Sequence, residues 1–473
     1  MDADATIVVT PPLGEWVSRL ALDDVPQDVV KHLKTCLLDA LGCGLFGAAQ
    51  PWGAIASNVA VAMSRGGTSS LFARADKVSP GDAALANGTA IHGFELDDAH
   101  VSSSHHPGAV TVPASLAVAE DLGASGADVL VALAAGYEVG LRVGVCAGTS
   151  HSTSGYHVTG TVGTLGAAAA AARLLRLPPG QTAHALGIGG TQAAGLYSAR
   201  TGAMTKRFHA GRASQSGVIA AYLALQGFTG SLEVLEAPFG GFMSTLRGQF
   251  DAGTILSGLG ERWETAHVGL KPYAACASSH TIVDGILDLR RRGLAADNLA
   301  RLTIRMSKKG QVNVGWPYQP SEVITAQMNG YYIAAVALLD GDAFIEQFAQ
   351  DRLADHNILD LVPRIDIVHD PELDLGGAAK RHAVNIEATL KNGEVLSVYV
   401  EQRRGSADHP LSSTDVEQKF KRLASTSLSV SDNEEVMNVV QRLEREPDLK
   451  RLMSLLTQNS GRNLRPSYAR PPA

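Results

Sequence analysis

The 473-residue sequence has little charge, few aromatic rings and few cysteines. Charged residues make up 18% of it and aromatics 5%. Lys plus Arg number 40 against 47 Asp plus Glu, for a formal charge of −7. The basic excess of a nucleic-acid binder is missing, and no such partner is expected. Cys36, Cys43, Cys146 and Cys276 make no CxxC pair. That pattern offers neither a disulfide framework nor a zinc knuckle and reads as reduced thiols in a cytoplasmic protein. The opening MDADATIVVTPPLGEW lacks a basic segment followed by an apolar one, so no signal peptide is expected. The best apolar run, VLVALAAGYEVGL, is broken by Glu138 and falls short of the ~18–20 residues of a membrane span, so no membrane partner is expected.

What is present is 45% apolar residues, enough core to exclude disorder over most of the chain, together with 49 glycines and still more alanine. Small residues suit closely packed helices better than aromatic-rich strands. Val29, Val30, Leu33, Cys36, Leu37 and Ala40 recur at the spacing of one buried helical face. Further helices are predicted at 53–64, 80–92, 110–122, 127–147, 159–175, 180–194, 211–226 and 230–235. Gly160, Gly163 and Gly166 precede the alanine run Ala167–Ala172. No β-rich segment leads into them, so they read as a helix contact rather than a nucleotide loop, and Gly187–Gly190 lacks the GxGxxG spacing.

After about residue 271 the pattern changes. Alternation predicts strands at 299–305, 365–368 and 383–390, and Lys391-Asn392-Gly393-Glu394 is a hairpin signal leading into 395–401. Helices are predicted between them at 277–292, 325–339, 343–349 and 353–361, and again at 413–423, 433–445 and 447–457. The expected fold is mainly α. A large all-helical domain of residues 1–270 together with 406–473 is interrupted by a smaller α/β lid domain at 271–405.

Four segments carry polar residues that packing does not require. The first, His92-Gly93-Phe94-Glu95-Leu96-Asp97-Asp98-Ala99-His100, is followed by His105-His106-Pro107. Carboxylates beside imidazoles can orient a ring and tune its pKa, as acid–base catalysis requires, though Asp97 and Asp98 could equally cap helices. Asp97, Asp98, His100, His105 and His106 are suitable metal ligands by type, but they form no HExxH spacing and no metal is expected. The second segment sets Tyr156-His157 before the Gly/Ala helix. The third, Thr205-Lys206-Arg207-Phe208-His209-Ala210-Gly211-Arg212, gathers cationic groups suited to a polyanion. The fourth runs from Lys271 through Tyr273 and Cys276 to His280 at the predicted domain junction, where small-molecule sites often form. Cys276 with His280 four residues on has the elements of a nucleophile, but its apolar surroundings favour a packed thiol.

These four segments, in this order, resemble the MmgE/PrpD family. Its first motif, H-x-x-[DE]-[FYL]-D-D followed by H-P, is matched by His92–Asp98 and His106-Pro107. The aromatic-His before G-T-x-G-T-x-G-A-A-A is matched by Tyr156-His157 and Gly163–Ala167, M-T-K-x-x-H-x-G-x-A by Met204–Ala213, and K-x-[YF]-x-x-[CH]-x-x-x-H by Lys271–His280. The likeness spans about residues 10–455. It implies a helical domain with an α/β lid, no cofactor, a homodimer, and a small di- or tricarboxylate substrate in the cleft.

Carried over residue by residue, His106 and His157 are the acid–base pair, with Asp97 or Asp98 beside them, and Lys206 and Lys271 bind substrate carboxylates. Glu95, His105, Arg207, His209, Cys276 and His280 complete the binding set, and Tyr332, or else Tyr331, is a lid tyrosine. Glu95 stands where better-known members carry Asp, Ala99 where Thr is usual, and Cys276 where decarboxylase-type members have His. The activity expected first is that of a 2-methylcitrate dehydratase-like hydro-lyase. A decarboxylase or epimerase of a related acid is the alternative within the class, and a catalytically idle carboxylate binder the alternative outside it.

Overall fold

The computed structural model describes residues 7–200, 203–246, 251–377 and 380–458. Helix Gln27–Ala48 runs through the middle of the helical part and is buried continuously from Leu37 to Gly47. Helices Pro51–Met63, Pro80–Ile91, Gly108–Leu122 and Gly126–Thr153 pack on it, and Val158–Leu174, Pro179–Thr191 and Thr205–Leu225 form a further layer against these and one another. The small residues explain how these helices approach so closely. A Cβ on Gly166 would stand 2.7 Å from the Gly136 carbonyl oxygen, and one on Gly136 equally close to that of Gly166, so any side chain there would force two helices apart.

Helix Gly126–Thr153 corrects one expectation. Its 23 residues Gly126–Gly148 are long and apolar enough to cross a membrane by length and composition, yet they lie buried among neighbouring helices. Glu138 in their midst is satisfied inside the protein, accepting hydrogen bonds from Arg142 Nε at 2.7 Å and Thr265 Oγ1 at 2.9 Å. The stretch is a core helix that carries its own polar clamp.

The C-terminal part holds a four-stranded sheet in the order Ile365–His369, Leu299–Met306, Val384–Leu390, Val395–Val400, the first pair parallel and the others antiparallel. Asn392 and Gly393, with Gly393 at φ +87°, make the hairpin turn that the sequence signals. Segment 230–235, predicted as a helix, forms turns instead. The helix predicted from 211 begins at Thr205, which puts Lys206, Arg207 and His209 on its first turns rather than in a loop.

Helix Ser413–Ala424 returns to pack on Gln27–Ala48. Lys419 Nζ lies 2.5 Å from Asp39 and 2.6 Å from the Leu96 carbonyl, so this buried pair ties the chain's return to the first polar segment. Replacing Lys419 by Met leaves Asp39 buried without its cation. The expected cost is about 3 kcal/mol in denaturant unfolding, and Asp39→Asn in the same background should recover most of it.

Candidate active site

The His92–Gly108 segment links helix Pro80–Ile91 to helix Gly108–Leu122 and is fastened from several sides. Ala99 pairs through both backbone groups with Gly269, at 2.8 and 2.9 Å, which brings the Lys271 segment alongside Glu95 and Asp97. Arg207 donates to the Gly93 carbonyl at 2.6 Å and stacks 3.8 Å above Trp52, and Gln327 donates to the Phe94 carbonyl at 2.9 Å. Glu95 itself sits at φ +56°, a left-handed conformation that costs a non-glycine residue roughly 1–2 kcal/mol. This turn aims its carboxylate between two lysines. One oxygen pairs with Lys206 and the other lies 3.4 Å from Lys271 Nζ.

From there a chain of charged and titratable groups runs on. Lys271 Nζ is 3.9 Å from Asp97 Oδ1, while Asp97 Oδ2 accepts from His92 Nδ1 at 2.6 Å and lies 3.4 Å from His106 Nδ1. The His92 ring centroid is 5.0 Å from that of His106 and 5.4 Å from that of His157, and His157 Nδ1 is 3.1 Å from His209 Nδ1. His157 occupies the cap position of helix Val158–Leu174, so the Gly/Ala helix holds it in place. His106 Nδ1 also lies 2.6 Å from the Asp98 carbonyl oxygen. A carbonyl can only accept, so Nδ1 carries the hydrogen, and in the neutral ring Nε2 is left as the basic nitrogen.

The electrostatics follow from burial and these partners. Burial would raise Glu95, but Lys206 and Lys271 outweigh it and hold the carboxyl well below its usual range. Burial likewise works against ionised Asp97, yet His92, His106 and Lys271 keep it low. Burial lowers His106 to about 3 against the opposing pull of Asp97, and lowers His157 with help from His92 and Lys206. Both rings are therefore neutral at physiological pH. Burial raises the Cys276 thiol, which argues against a thiolate nucleophile.

Glu95, His105, His106, His157, Lys206, Lys271 and Cys276 all line one cavity of about 980 Å³, as does Ala99. Asp97 stands directly behind His106 and Lys271. Of the two adjacent histidines, His106 carries the Asp97 contact and is the more exposed, whereas the His105 ring is fully buried.

Other expected residues are placed elsewhere. Asp98 accepts from Gly108 N at 2.9 Å and Tyr137 Oη at 2.8 Å, and it does not line the cavity. A Cβ on Gly108 would stand 2.8 Å from that carboxylate, so the glycine is what lets Asp98 anchor the helix start. Arg207 clamps Gly93, and His280 packs edge-on against Tyr273 with Nε2 on the Ala275 carbonyl. His209 touches His157 rather than the cavity. Tyr332 is fully buried, its hydroxyl on the Gln347 carbonyl at 2.5 Å between Tyr318 and Phe348, and neither it nor Tyr331 lines the cavity. Sequence reasoning had left out His92, although its place five residues before Asp97 in the motif was the signal. It also missed Arg381, His382 and Arg403, which nothing local marks.

His92, Asp97 and His106 are close enough to share a cation, with ligand atoms within 4.8 Å of one another. Their hydrogen bonding fits it poorly. The His106 nitrogen facing Asp97 is a donor to a carbonyl, His92 Nδ1 donates to Asp97, and the Lys271 ammonium stands beside the same carboxylate.

A helix-rich body with a small mixed sheet, and a cleft holding two lysines, two carboxylates and several neutral imidazoles, is the build of an enzyme that moves protons beside anionic groups. The chain belongs to the MmgE/PrpD family: residues 12–253 match the MmgE/PrpD N-terminal domain and residues 273–445 the MmgE/PrpD C-terminal domain. It is similar to a cis-aconitate decarboxylase-like protein, oryM, of Aspergillus oryzae, at 31% identity over 95% of this chain and 97% of the other. The cis-aconitate decarboxylase of Aspergillus terreus is also 31% identical, over 96% and 97% of the two chains, and that of Homo sapiens 29%, over 95% and 94%.

The buried imidazoles make stability depend on pH. His100 and His106 fall to about 3 and His151 and His209 to about 4 in the folded protein, all by burial first, against an ordinary 6.5. Between those values the unfolded chain binds more protons, so stability present above pH 6.5 is lost as the pH falls. Asp98, raised to about 8 by burial and by Asp97, contributes in the opposite sense, but it is one group against several. Between pH 7 and 5.5 His100 and His106 together lose about 2.5 kcal/mol, more than the about 2 kcal/mol that Asp98 gains, and His151 and His209 add to the loss. A lower denaturation midpoint is expected at pH 5.5 than at pH 7, and a higher one would contradict the burial of these rings in neutral form.

Proposed function

We propose that the protein is a lyase that acts on a polycarboxylate by transferring a proton beside a carboxylate, with decarboxylation of a cis-aconitate-like tricarboxylate as the first reading. The observation that carries it is one cavity lined by Lys206, Lys271 and His106, whose Nδ1–H is fixed by the Asp98 carbonyl while Nε2 remains for chemistry. The full-length similarity to the decarboxylases supports the same reading. In this scheme the lysines hold substrate carboxylates and stabilise the charge that develops on them. Loss of CO2 leaves its bonding pair in the conjugated carboxylate system. An imidazole that has taken up a proton at its free nitrogen, once the bound polycarboxylate offsets the lysine charges, then delivers it to carbon, closes the new C–H bond and returns to its neutral form.

A second reading, hydro-lyase action on a 2-methylcitrate-like acid, is favoured by Cys276. A thiol held protonated by burial is no base, whereas the family resemblance implies a histidine at this position in decarboxylase-type members. His106 and His157 remain, one neutral to take the proton from carbon and the other, protonated once the bound polycarboxylate offsets the lysine charges, to release the hydroxyl as water. Incubation with cis-aconitate, citrate and 2-methylcitrate, read by CO2 release and proton NMR, separates the readings. CO2 from cis-aconitate supports the first, and an unsaturated product without CO2 the second. Binding with neither product marks an idle carboxylate binder and overturns both.

The protein is further proposed to act as a homodimer. Ile219, Leu223 and Phe228 are exposed apolar side chains around a depression of about 420 Å³ beside helix Thr205–Leu225. Light scattering should give twice the chain mass.

A further inference from the structure

Beyond Cys276 the cavity wall passes to the α/β part and changes character. Arg381, His382 and Arg403 line it, with Lys309 nearby. The sheet brings them together. Val384 pairs with Val400 across antiparallel strands, so the residues just before one strand and just after the other emerge at the same sheet end. Their backbones are pinned: Ser307 Oγ donates to the Arg381 carbonyl at 2.8 Å and Thr281 Oγ1 to that of His382 at 2.6 Å.

The side chains, by contrast, are short of acceptors. Arg403 is 1% exposed. Its Nη1 reaches only the Leu270 carbonyl, at 3.5 Å, and Nε and Nη2 meet no acceptor among the described residues. Arg381, 9% exposed, spends Nη2 on the Val101 carbonyl at 2.7 Å, while its Nε and His382 Nδ1 are unpartnered among the described residues. The nearby carboxylates are engaged elsewhere. Asp374 accepts from Lys308 N and His369, and Asp284 from Tyr273 Oη and Arg404 N. A buried guanidinium with open donors is costly unless an anion meets it. Burial lowers Arg403 to about 10, and Arg381 and Arg403 help burial to lower His382.

The two ends of the cavity differ in charge. At the Lys206 and Lys271 end, Glu95 and Asp97 already match the two ammonium groups. Among the described residues, a polyanion entering there meets two ammonium groups already balanced by two carboxylates. At the other end Arg403, Arg381 and Lys309 form no ion pair with a carboxylate among the described residues. Cys276 stands between the ends, within electrostatic reach of Lys206, Lys271 and Arg403. The volume of about 980 Å³ lies near the top of the ~300–1,000 Å³ usual for small-molecule sites, so there is room for an acid that spans both.

We propose that Arg403, Arg381 and His382, with Lys309 beside them, form a second anion subsite that takes a substrate carboxylate remote from the reacting carbon. The proposal rests on the reading of the cavity as a polycarboxylate site and names the kind of acid it selects: one whose carboxylates are spread along an extended chain.

Calorimetric binding of the α,ω-dicarboxylates from succinate to suberate, and of tricarballylate, to the full chain tests it without requiring turnover. The wild type should bind the longer acids more tightly than succinate. Arg403→Gln should weaken the best long acid at least tenfold and leave succinate within about twofold. Arg381→Gln, at a less deeply buried position, should act in the same direction and serves if Arg403→Gln does not fold. Lys206→Ala should weaken every acid. If the arginine variants leave all affinities unchanged, or weaken short and long acids alike, while Lys206→Ala weakens them all, the second subsite is overturned and the polycarboxylate reading stands. If Lys206→Ala has no effect on any acid, that reading itself fails.

Discussion

His106→Asn is expected to fold normally and to lose about a thousandfold in kcat, within the ~10²–10⁴ range of a general acid–base residue. The asparagine amide can still donate to the Asp98 carbonyl, as the His106 Nδ1–H does at 2.6 Å, so the loop keeps its anchor. What disappears is Nε2, the nitrogen left with a lone pair once Nδ1 is fixed as the donor. In the free protein burial holds this ring to about 3, and the Lys271 and Lys206 charges add to the depression. A bound polycarboxylate offsets those charges and raises the ring's basicity when a proton must move. The loss should therefore fall on kcat with KM changed little. A variant that keeps near-normal kcat would remove His106 from the chemistry. His157→Gln should show a loss of the same kind.

Lys206→Ala is expected to abolish turnover and also to destabilise the fold by about 3 kcal/mol. Lys206 is buried, and its pairing with Glu95 compensates a carboxylate that is itself buried in a strained turn. Without it, Glu95 keeps only Lys271 at 3.4 Å. The double variant Lys206→Ala with Glu95→Gln removes both charges and should recover most of the stability while remaining inactive. Unfolding by urea and turnover, measured on the same three proteins, separate the two roles. If the single variant is as stable as the wild type, Lys206 does not compensate the buried Glu95 carboxylate. Glu95 also sets an affinity limit, because an incoming carboxylate has to compete with it for both lysines. Glu95→Gln alone should therefore tighten binding of a simple dicarboxylate.

The four polar segments were legible because each is short and its residues lie close in sequence. Helix and strand periods were legible because they repeat, and the Asn392-Gly393 turn because only certain residues tolerate its backbone. Side-chain direction was not. Whether Tyr331 or Tyr332 met the cavity depended on how helix Gly330–Asp340 is rotated in its packing, and the structure directs neither there. Asp98 and Arg207 carry the chemistry of a site but spend it on Gly108, Tyr137 and Gly93. The Ala99–Gly269 pairing that brings Lys271 to Glu95 joins distant segments with no local signal. Arg381 and Arg403 lie outside every recognisable pattern, and only the register of two strands places them at one end of the cavity.

Proton transfer to a polycarboxylate by the buried imidazoles is tested most directly by turnover in D2O followed by NMR. With cis-aconitate or 2-methylcitrate as substrate, the wild type should place solvent deuterium on a carbon beside a carboxylate of the product or of recovered substrate. His106→Asn and His157→Gln should each suppress that incorporation by two orders of magnitude or more. Incorporation that persists undiminished in both variants, or CO2 release from cis-aconitate by the wild type without any deuterium entering carbon, would contradict it.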